Sequence, residues 1–360
     1  MKIQLLVAAL VIMAVPVHAQ LSRPAAYPRP NEGDYVIRDF RFHTGETLPE
    51  LRLHYATLGT PRRDGSRRVF NAVLVMHGTG GSGRSLLTEQ FAGILFAPGG
   101  LLDAARYFII LPDAIGHGKS AKPSDGLRMK FPHYTYDDMV AAQYRLLAEK
   151  LGVNHLRLVM GTSMGGMHTW VWAETHADFM DALMPLASLP VEIAGRNRMW
   201  RKMVIEDIRR DPAWNHGEYT TEPLEALSDA AGILLLMGGS PLQLRTAAPT
   251  RDKAEQYLDD YVQRTVARTD ANDMIYQFDA SREYNPQPLL EKIQAPLTAI
   301  NSADDMINPP ELGIMEQQIR RVRRGRYVLI PTSPQTRGHG THSVPVIWQS
   351  YLKELLDGRP

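Results

Sequence analysis

Ser163 lies in the segment Gly161-Thr162-Ser163-Met164-Gly165, whose residue types and spacing are those of a serine nucleophile on a tight turn. An apolar run at residues 156–160 precedes the segment, and a helix-like run begins near Met167. A G-x-S-x-G segment between a strand and a helix exposes the serine hydroxyl at the end of the strand. The flanking glycines are needed because side chains there would collide in so sharp a turn. The sequence therefore predicts nucleophilic catalysis by Ser163; the alternative is a chance Gly/Ser turn.

A glycine-rich stretch, His77-Gly78-Thr79-Gly80-Gly81, follows a second apolar run at residues 71–76. In enzymes with a G-x-S-x-G nucleophile, a loop at this place supplies one backbone N–H of the oxyanion hole, and the residue after the serine supplies the other. We therefore expect the N–H groups of Thr79 and Met164 to stabilise a developing oxyanion. A phosphate-binding loop is the alternative, but the stretch lacks the Lys-Ser/Thr ending of a P-loop.

Two adjacent acids, Asp304 and Asp305, follow an apolar run at residues 295–300. The acid that accompanies such a nucleophile comes between the serine and the histidine in the chain. Asp305, three residues after Ser302 and four before Pro309, matches the usual acid loop better. We predict that Asp305 holds the imidazole tautomer and stabilises the imidazolium, with Asp304 in reserve. The other interpretation of either residue is a turn acid that caps the next helix.

The general base is expected in the loop after the last apolar run, residues 326–330, where two histidines occur. His339 follows a glycine, as is common at this position, and is the first candidate; His342 is the reserve. The base would accept the Ser163 proton and later protonate the leaving group. The other histidines show no close metal-ligand spacing, and the chain has no cysteine. We therefore expect no metal site, no cofactor and no thiolate chemistry.

The elements that must position these residues alternate between strand-like and helix-like stretches. Short apolar runs that end in Gly, Pro or Asp are typical of buried parallel strands joined by crossovers. Such runs occupy residues 71–76, 107–111, 156–160, 182–186, 295–300 and 326–330. Residues 35–42 and 51–58 alternate apolar and polar side chains, as half-buried antiparallel strands do. These runs predict an α/β fold, a mostly parallel sheet with helices on both faces. The G-x-S-x-G turn at Ser163 is the feature that indicates the α/β-hydrolase fold within this class.

One further loop and one long helical segment complete the predicted organisation. A glycine-rich loop at residues 113–120 follows the run at 107–111 and fits a tight turn; we assign it no catalytic role. Residues 190–285 read as helices without a strand and predict an inserted helical cap. The expected divisions are a signal peptide at 1–19, a first core part at 20–189, the cap at 190–285 and a second core part at 286–360.

The first residues have the pattern of an export signal. Lys2 precedes an almost wholly apolar stretch at residues 3–17, and Val17-His18-Ala19 places short side chains where signal peptidase reads them. We predict cleavage after Ala19 and a secreted or periplasmic protein; an uncleaved N-terminal anchor is the alternative. No second apolar run is long enough to span a bilayer, so we expect no stable membrane insertion after cleavage.

Composition narrows the classes of partner. The 360 residues are 44% hydrophobic and 22% charged, which are ordinary values for a globular protein. The formal net charge of +1 provides no basic excess for a long anionic partner, so we expect no nucleic-acid binding. A small-molecule ester is the expected partner.

The chain resembles the homoserine O-acetyltransferase branch of the α/β-hydrolase superfamily. The resemblance rests on four segments: residues 71–77, 161–167, 211–219 and 276–279. It implies a Ser-Asp-His triad, a helical cap and ping-pong acyl transfer through an acyl-serine, with these roles on Ser163, Asp305 and His339. It also allows a homodimer. The loop at 77–81 and the cap at 228–268 depart from the branch, and the arginine that its members use to hold homoserine has no clear counterpart.

Three functions are consistent with these residues. The first is an exported serine esterase, in which water releases the acyl group from Ser163. The second is an O-acyltransferase, in which an alcohol captures the same acyl group. The third is a binding protein on a hydrolase scaffold. The predicted export favours the esterase because acetyl-CoA is a cytoplasmic metabolite. The Met and Leu content of the cap indicates small or medium apolar esters as substrates.

Overall fold

A computed structural model describes residues 27–358 of the chain. The predicted signal peptide at residues 1–19 lies outside these residues. Within residues 27–358, no helix has the length and apolar character needed to cross a membrane.

An eight-stranded sheet organises the described residues, with the strand order β1-β2-β4-β3-β5-β6-β7-β8. Its strands are β1 (Asn31–Arg41), β2 (Thr47–Leu58), β3 (Ala72–Met76), β4 (Phe108–Pro112), β5 (Leu158–Thr162), β6 (Leu183–Leu186), β7 (Leu297–Ser302) and β8 (Gly325–Ile330). The hairpin of β1 and β2 is antiparallel, and β2 also pairs antiparallel with β4. All other pairs are parallel. The predicted mostly parallel sheet is confirmed.

The six short apolar runs of the sequence coincide with β3 to β8 to within two residues, whereas β1 and β2 each begin four residues before the alternating stretches at 35–42 and 51–58. Among the apolar runs, the strands β5 and β7 both lie two residues further along the chain, and β5 begins at Leu158 although its run begins at residue 156. Leu156 instead forms an isolated parallel bridge to Met180, just before the strand begins. Every residue of β3, β4 and β5 is buried, because parallel strands in this position are covered on both faces.

Helices cover both faces of the sheet. The α-helices are α1 (Ala92–Leu95), α2 (Tyr136–Arg145), α3 (Met164–Thr175), α4 (Gly195–Arg210), α5 (Leu224–Gly238), α6 (Pro241–Ala247), α7 (Arg251–Val266), α8 (Ala271–Asp279), α9 (Ile314–Gln318) and α10 (Pro345–Leu356). Alternate residues of β3 enter different cores: Leu74 packs with α2 and α3, whereas Val75 packs with α1 and α10. This alternation follows from the two-residue period of a strand.

The chain between β6 and β7 contains the helices α4 to α8, joined by loops, and no strand. This segment has a hydrophobic cluster of its own, to which α4 contributes Trp200, Val204, Ile205 and Ile208. Trp214 closes the cluster and donates a hydrogen bond from Nε1 to Asn272 Oδ1 at 2.8 Å. The helices α4 to α8 are called the cap below.

Candidate active site

Ser163 lies on the turn between β5 and α3 with a strained backbone. Its φ and ψ are 55° and −111°, in a region that residues other than glycine rarely adopt. A Cβ on Gly161 would lie 2.1 Å from the carbonyl oxygen of Gly165, and one on Gly165 would lie 2.2 Å from that of Met76. The two glycines are therefore required by backbone contacts. The turn is anchored by the Ser163 N–H, which donates to Leu186 O at 2.9 Å.

Ser163, His339 and Asp305 form one hydrogen-bonded chain. His339 Nε2 lies 2.7 Å from Ser163 Oγ, and His339 Nδ1 lies 2.8 Å from Asp305 Oδ2. The three residues follow β5, β8 and β7, so they meet because the carboxyl ends of parallel strands share one edge of the sheet. The arrangement can move a proton from the serine hydroxyl to an imidazole whose other nitrogen faces a carboxylate.

The carboxylate of Asp305 is buried, with 2% of the residue exposed, but is well supplied with donors. It accepts hydrogen bonds from the Ile307 N–H at 2.8 Å and from Asn308 Nδ2 at 3.0 Å. Burial raises the pKa of Asp305, but the charge of His339 and these hydrogen bonds outweigh it, and the net pKa lies below the usual value. Asp305 therefore remains ionised and faces the imidazole as an anion.

Asp304 points away from the imidazole and holds the loop that carries it. Its Oδ2 accepts from Thr336 Oγ1 at 2.9 Å and from the Gly338 N–H at 3.0 Å, and its Oδ1 accepts from Ser302 Oγ. Burial raises the pKa of Asp304, but these hydrogen bonds together lower it below the usual value. The structure thus separates the two adjacent acids: one contacts His339, and the other fixes the backbone beside it.

His342, the reserve histidine, does not reach Ser163 or either acid. Its ring centroid lies 5.3 Å from that of His339 in an edge-to-face arrangement. Burial, together with the neighbouring His339, lowers the pKa of His342 to about 3, so the ring is neutral at ordinary pH. Within residues 27–358, its Nδ1 has no hydrogen-bond partner. His342 packs beside the hydrogen-bonded chain without joining it.

The Gly78–Gly81 stretch lies directly against the nucleophile. A Cβ on Gly78 would be 3.3 Å from the Cβ of Ser163. In the described part of the chain, neither the Thr79 N–H nor the Met164 N–H has a hydrogen-bond acceptor. Met164 is the first residue of α3, where such a free N–H is expected. Both groups predicted for an oxyanion hole are thus available as donors beside Ser163.

A cavity of about 680 Å³ lies between these loops and the cap. The core side contributes Gly78, Thr79, Ser163 and His339, and the cap contributes Trp200, Arg201, Leu234, Met274, Gln277 and Phe278. The cap side combines these apolar side chains with the charged residues Arg201, Arg268, Asp270 and Asp273. Within residues 27–358, no group of three or more His, Cys, Asp or Glu side chains could hold a metal ion.

Arg201 is a residue of this cavity that the sequence analysis did not identify. It is 2% exposed, and its guanidinium donates to Asn197 Oδ1 at 2.9 Å and to Ser281 Oγ at 3.1 Å. No carboxylate partners it among the described residues. Burial lowers the pKa of Arg201, although an arginine remains charged. A signal was present: Arg201 lies on the apolar face of α4, three, four and seven residues before Val204, Ile205 and Ile208.

The amino-acid sequence is similar to a known protein family and to individual members of it. A family model described as alpha/beta hydrolase fold matches residues 71–333. The chain is 31% identical over 290 residues to a probable acyltransferase of Methanothermobacter thermautotrophicus, covering 80% of this chain and 85% of that protein. It is 31% identical over 345 residues to the homoserine O-acetyltransferase of Pelobacter propionicus, covering 86% of this chain and 91% of the relative.

The fold is also similar to that of solved structures. The acetyl esterase MekB superposes with a TM-score of 0.79 at 24% identity, over 91% of this chain and 97% of that one. At this identity the likeness concerns the fold. The relatives identified by sequence are named as acyltransferases, and this structural neighbour is named as an esterase.

Proposed function

This chain belongs to the α/β-hydrolase superfamily, in its homoserine O-acetyltransferase-like branch, and on that premise we propose that it is an O-acyltransferase working through an acyl-Ser163 intermediate. It is an enzyme of a superfamily in which the same acyl-serine is passed either to an alcohol or to water. The observation that favours an alcohol is Arg201, a buried cation without a carboxylate partner in the cavity that contains Ser163.

In the first half of the proposed reaction, Ser163 Oγ attacks the acyl carbonyl while His339 Nε2 takes the hydroxyl proton. The N–H groups of Thr79 and Met164 stabilise the oxyanion of the tetrahedral intermediate. The bond to the leaving group then breaks, and His339 protonates that group. Asp305 stabilises the imidazolium that exists between these two proton transfers.

In the second half, the acceptor alcohol takes the place of the leaving group. His339 removes its hydroxyl proton, the alcohol oxygen attacks the acyl carbon, and the bond from that carbon to Ser163 breaks. The proton returns to Ser163, which restores the enzyme and releases the new ester. Water in place of the alcohol would give a carboxylic acid by the same steps.

The buried charge of Arg201 indicates the chemical class of the acceptor. The Arg201 guanidinium contacts neutral oxygens and the rings of Trp200 and Phe278 but no anion, and burial of such a charge costs free energy that an anionic ligand can offset. Arg201 presents planar donors of the kind that bind a carboxylate in a bidentate geometry. We therefore propose a small alcohol that carries a carboxylate. Homoserine, after which the Pelobacter propionicus relative is named, is one member of that class.

Ester hydrolysis is the second candidate. The cavity of about 680 Å³ exceeds the volume of a small ester and leaves space for water beside the acyl group. The predicted export, which we retain as a proposal, would separate the enzyme from cytoplasmic acyl thioesters. The esterase in the name of the structural neighbour is consistent with this alternative.

The test measures what captures the acyl group. Mature protein and Ser163→Ala receive p-nitrophenyl acetate or acetyl-CoA, with homoserine, 4-hydroxybutanoate or 3-aminopropan-1-ol as acceptor. Mass spectrometry then quantifies acetylated acceptor, free acetate and acetyl-enzyme. We expect acetylated products from the two carboxylate-bearing alcohols, far less from 3-aminopropan-1-ol, and none from Ser163→Ala. Free acetate as the sole product would favour the hydrolase, and absence of acetyl-enzyme with every donor would contradict both functions.

A further inference from the structure

The loop at residues 113–120, to which the sequence analysis assigned no catalytic role, packs against the glycine-rich stretch beside Ser163. The backbone N–H of Ala114 donates to His77 Nε2 at 3.1 Å, and His77 Nδ1 lies 2.8 Å from the carbonyl oxygen of Gly78. We propose that His77 is a positioning residue that holds the Gly78–Thr79 peptide with its N–H turned toward the substrate carbonyl. This inference rests on the proposed acyl transfer through Ser163.

The hydrogen bonds determine the tautomer of His77. A backbone N–H can only donate, so His77 Nε2 must be the unprotonated, accepting nitrogen. In a neutral imidazole the proton then resides on Nδ1, which donates it to the Gly78 carbonyl. The ring is 2% exposed, and burial lowers its pKa, consistent with the neutral form.

The orientation of one carbonyl sets the orientation of the next N–H. The peptide bond between Gly78 and Thr79 is planar and trans, so its C=O and N–H point in opposite directions. The Gly78 carbonyl faces His77 and also accepts from the Gly81 N–H at 3.0 Å. The Thr79 N–H is consequently turned away from His77, on the side of the cavity. Rotation of this peptide would replace a donor by a carbonyl oxygen and repel the oxyanion.

A second contact fixes the chain two residues beyond the same stretch. Asp113, which is buried, accepts from the Gly83 N–H at 2.7 Å and from the Lys119 N–H at 2.8 Å. Its loop surrounds the carboxylate so closely that a Cβ on Gly118 would lie 2.1 Å from Asp113 Oδ2. The loop at 113–120 therefore contacts the first residue of the glycine-rich stretch, through Ala114 and His77, and the chain just after the stretch, through Asp113 and Gly83.

Two amide substitutions separate the two contacts of His77. The Asn side chain places its amide nitrogen near the position of Nδ1, so His77→Asn can keep the donor to Gly78. The Gln side chain reaches the position of Nε2, so His77→Gln can accept from Ala114 but loses that donor. Burst kinetics with p-nitrophenyl acetate measure the acylation rate constant and, through the burst amplitude, the fraction of active protein.

We expect His77→Gln to lower the acylation rate constant about 100-fold, as loss of one oxyanion donor does. His77→Asn should stay within about tenfold of the wild type, and KM should change little in either variant. A merely structural role would reduce the burst amplitude and the melting temperature of both variants without separating their rate constants. Equal rate constants for His77→Gln and His77→Asn would overturn the inference.

A measurement on the wild-type protein does not depend on catalysis or on variant folding. Nitrogen-15 NMR of the His77 imidazole should show the Nδ1–H tautomer, unchanged between pH 6 and pH 8. An Nε2–H tautomer, or a ring that titrates in this range, would overturn the inference. If the wild type forms no acyl-enzyme, the proposed function fails, and the tautomer still decides whether His77 holds the Gly78 carbonyl.

Discussion

The carboxyl edge of the sheet and the cap differ in how tightly their residues are constrained. At the sheet edge, Gly161 and Gly165 are in contact with backbone atoms that leave no room for a Cβ. In the cap, Gly232 in the middle of α5 has no neighbouring atom within 4 Å of such a Cβ. The cap also exposes large apolar side chains: Met199, Met203, Leu224, Leu236, Leu242 and Leu258.

The difference separates two tasks in one cavity. Reacting atoms must be held to a few tenths of an ångström, and the backbone contacts of the core provide that constraint. Selection of the acyl and alcohol groups requires only a lining of suitable shape and charge, which looser helices can supply. Substitutions in the core should therefore change the rate of chemistry, and substitutions in the cap should change the preference among substrates.

The largest expected effect compares the adjacent acids of the core. Asp305→Asn removes the anion beside His339 and should lower kcat by about 10³- to 10⁴-fold with KM little changed. Asp304→Asn keeps an oxygen that can accept from Thr336 or Gly338, and should cost less than about tenfold. Steady-state kinetics of both variants check the contrast. Equal losses of kcat in the two variants would mean that the loop position set by Asp304 matters as much for catalysis as the anion of Asp305 beside the imidazole.

The next prediction applies one substitution to both regions. Gly165→Ala places a methyl group 2.2 Å from the Met76 carbonyl oxygen and should lower the free energy of unfolding by about 3 kcal/mol. Gly232→Ala enters open space in α5 and should raise it by about 0.5–1 kcal/mol. Denaturant unfolding of the two variants measures the difference. A stable, active Gly165→Ala protein would contradict the rigid-edge description.

The core could be predicted from the sequence because its constraints are local. The glycines around Ser163 are fixed by one turn, and the buried strands appear as short apolar runs. The order of Asp305 and His339 after the last two strands followed from the motif, and the structure places both beside Ser163. Asp304 could not be interpreted in advance, because its partners Thr336 and Gly338 lie in another loop and meet it only after folding.

The cap was predictable as helices but not as a binding surface. An amphipathic pattern identifies α4 as a helix. It does not indicate which other helix will contact a polar residue, such as Arg201, on the apolar face of α4. Arg201 meets Ser281, 80 residues further along the chain, and reaches the cavity only when α4 packs against α8. The apolar lining expected from the Met and Leu content is present at Leu234 and Met274, but the buried charge among these residues was missed.

A third prediction tests whether the cap selects the acceptor. Arg201→Leu should raise KM for a carboxylate-bearing alcohol about 100-fold, or about 2.7 kcal/mol, because the anion loses a desolvated partner. The rate of Ser163 acylation by p-nitrophenyl acetate, which has no carboxylate, should change less than about threefold.

The matched control for this prediction is Arg198→Leu. Arg198 lies on the same helix and faces Asp279 at 3.7 Å, outside the residues that line the cavity. It should leave KM for the acceptor within about twofold. If both arginine variants raise this KM equally, or if Arg201→Leu slows acylation as much as acceptor capture, the separation of tasks between core and cap is wrong.

The smallest expected effect concerns a charge that the rigid core accommodates poorly. Glu174 lies in the last turn of α3, and its Oε2 has no hydrogen-bond partner in the part of the chain that the structure describes. Burial, and to a lesser degree the charge of Asp137, raises the pKa of Glu174 to about 8. A glutamate in an unfolded chain has a pKa of about 4.3.

Between these two pH values the unfolded state has released the Glu174 proton while the folded state retains it. The free energy of unfolding therefore falls as pH rises through this window. Glu174→Gln removes the ionisation and should raise the melting temperature at pH 8.5 by about 2–4 °C, with little change at pH 5.

Glu149 provides a control of opposite sign for this prediction. Hydrogen bonds from Arg145 lower the pKa of Glu149, so its charge stabilises the folded state above the unfolded pKa, and that stabilisation is lost as pH falls. Glu149→Gln should lower the melting temperature at pH 8.5, by less than about 1 °C because the pair is exposed. Equal melting temperatures of the wild type and Glu174→Gln at pH 8.5 would mean that the core relaxes enough to hydrate this carboxylate, and hence that its rigidity is confined to the loops around Ser163.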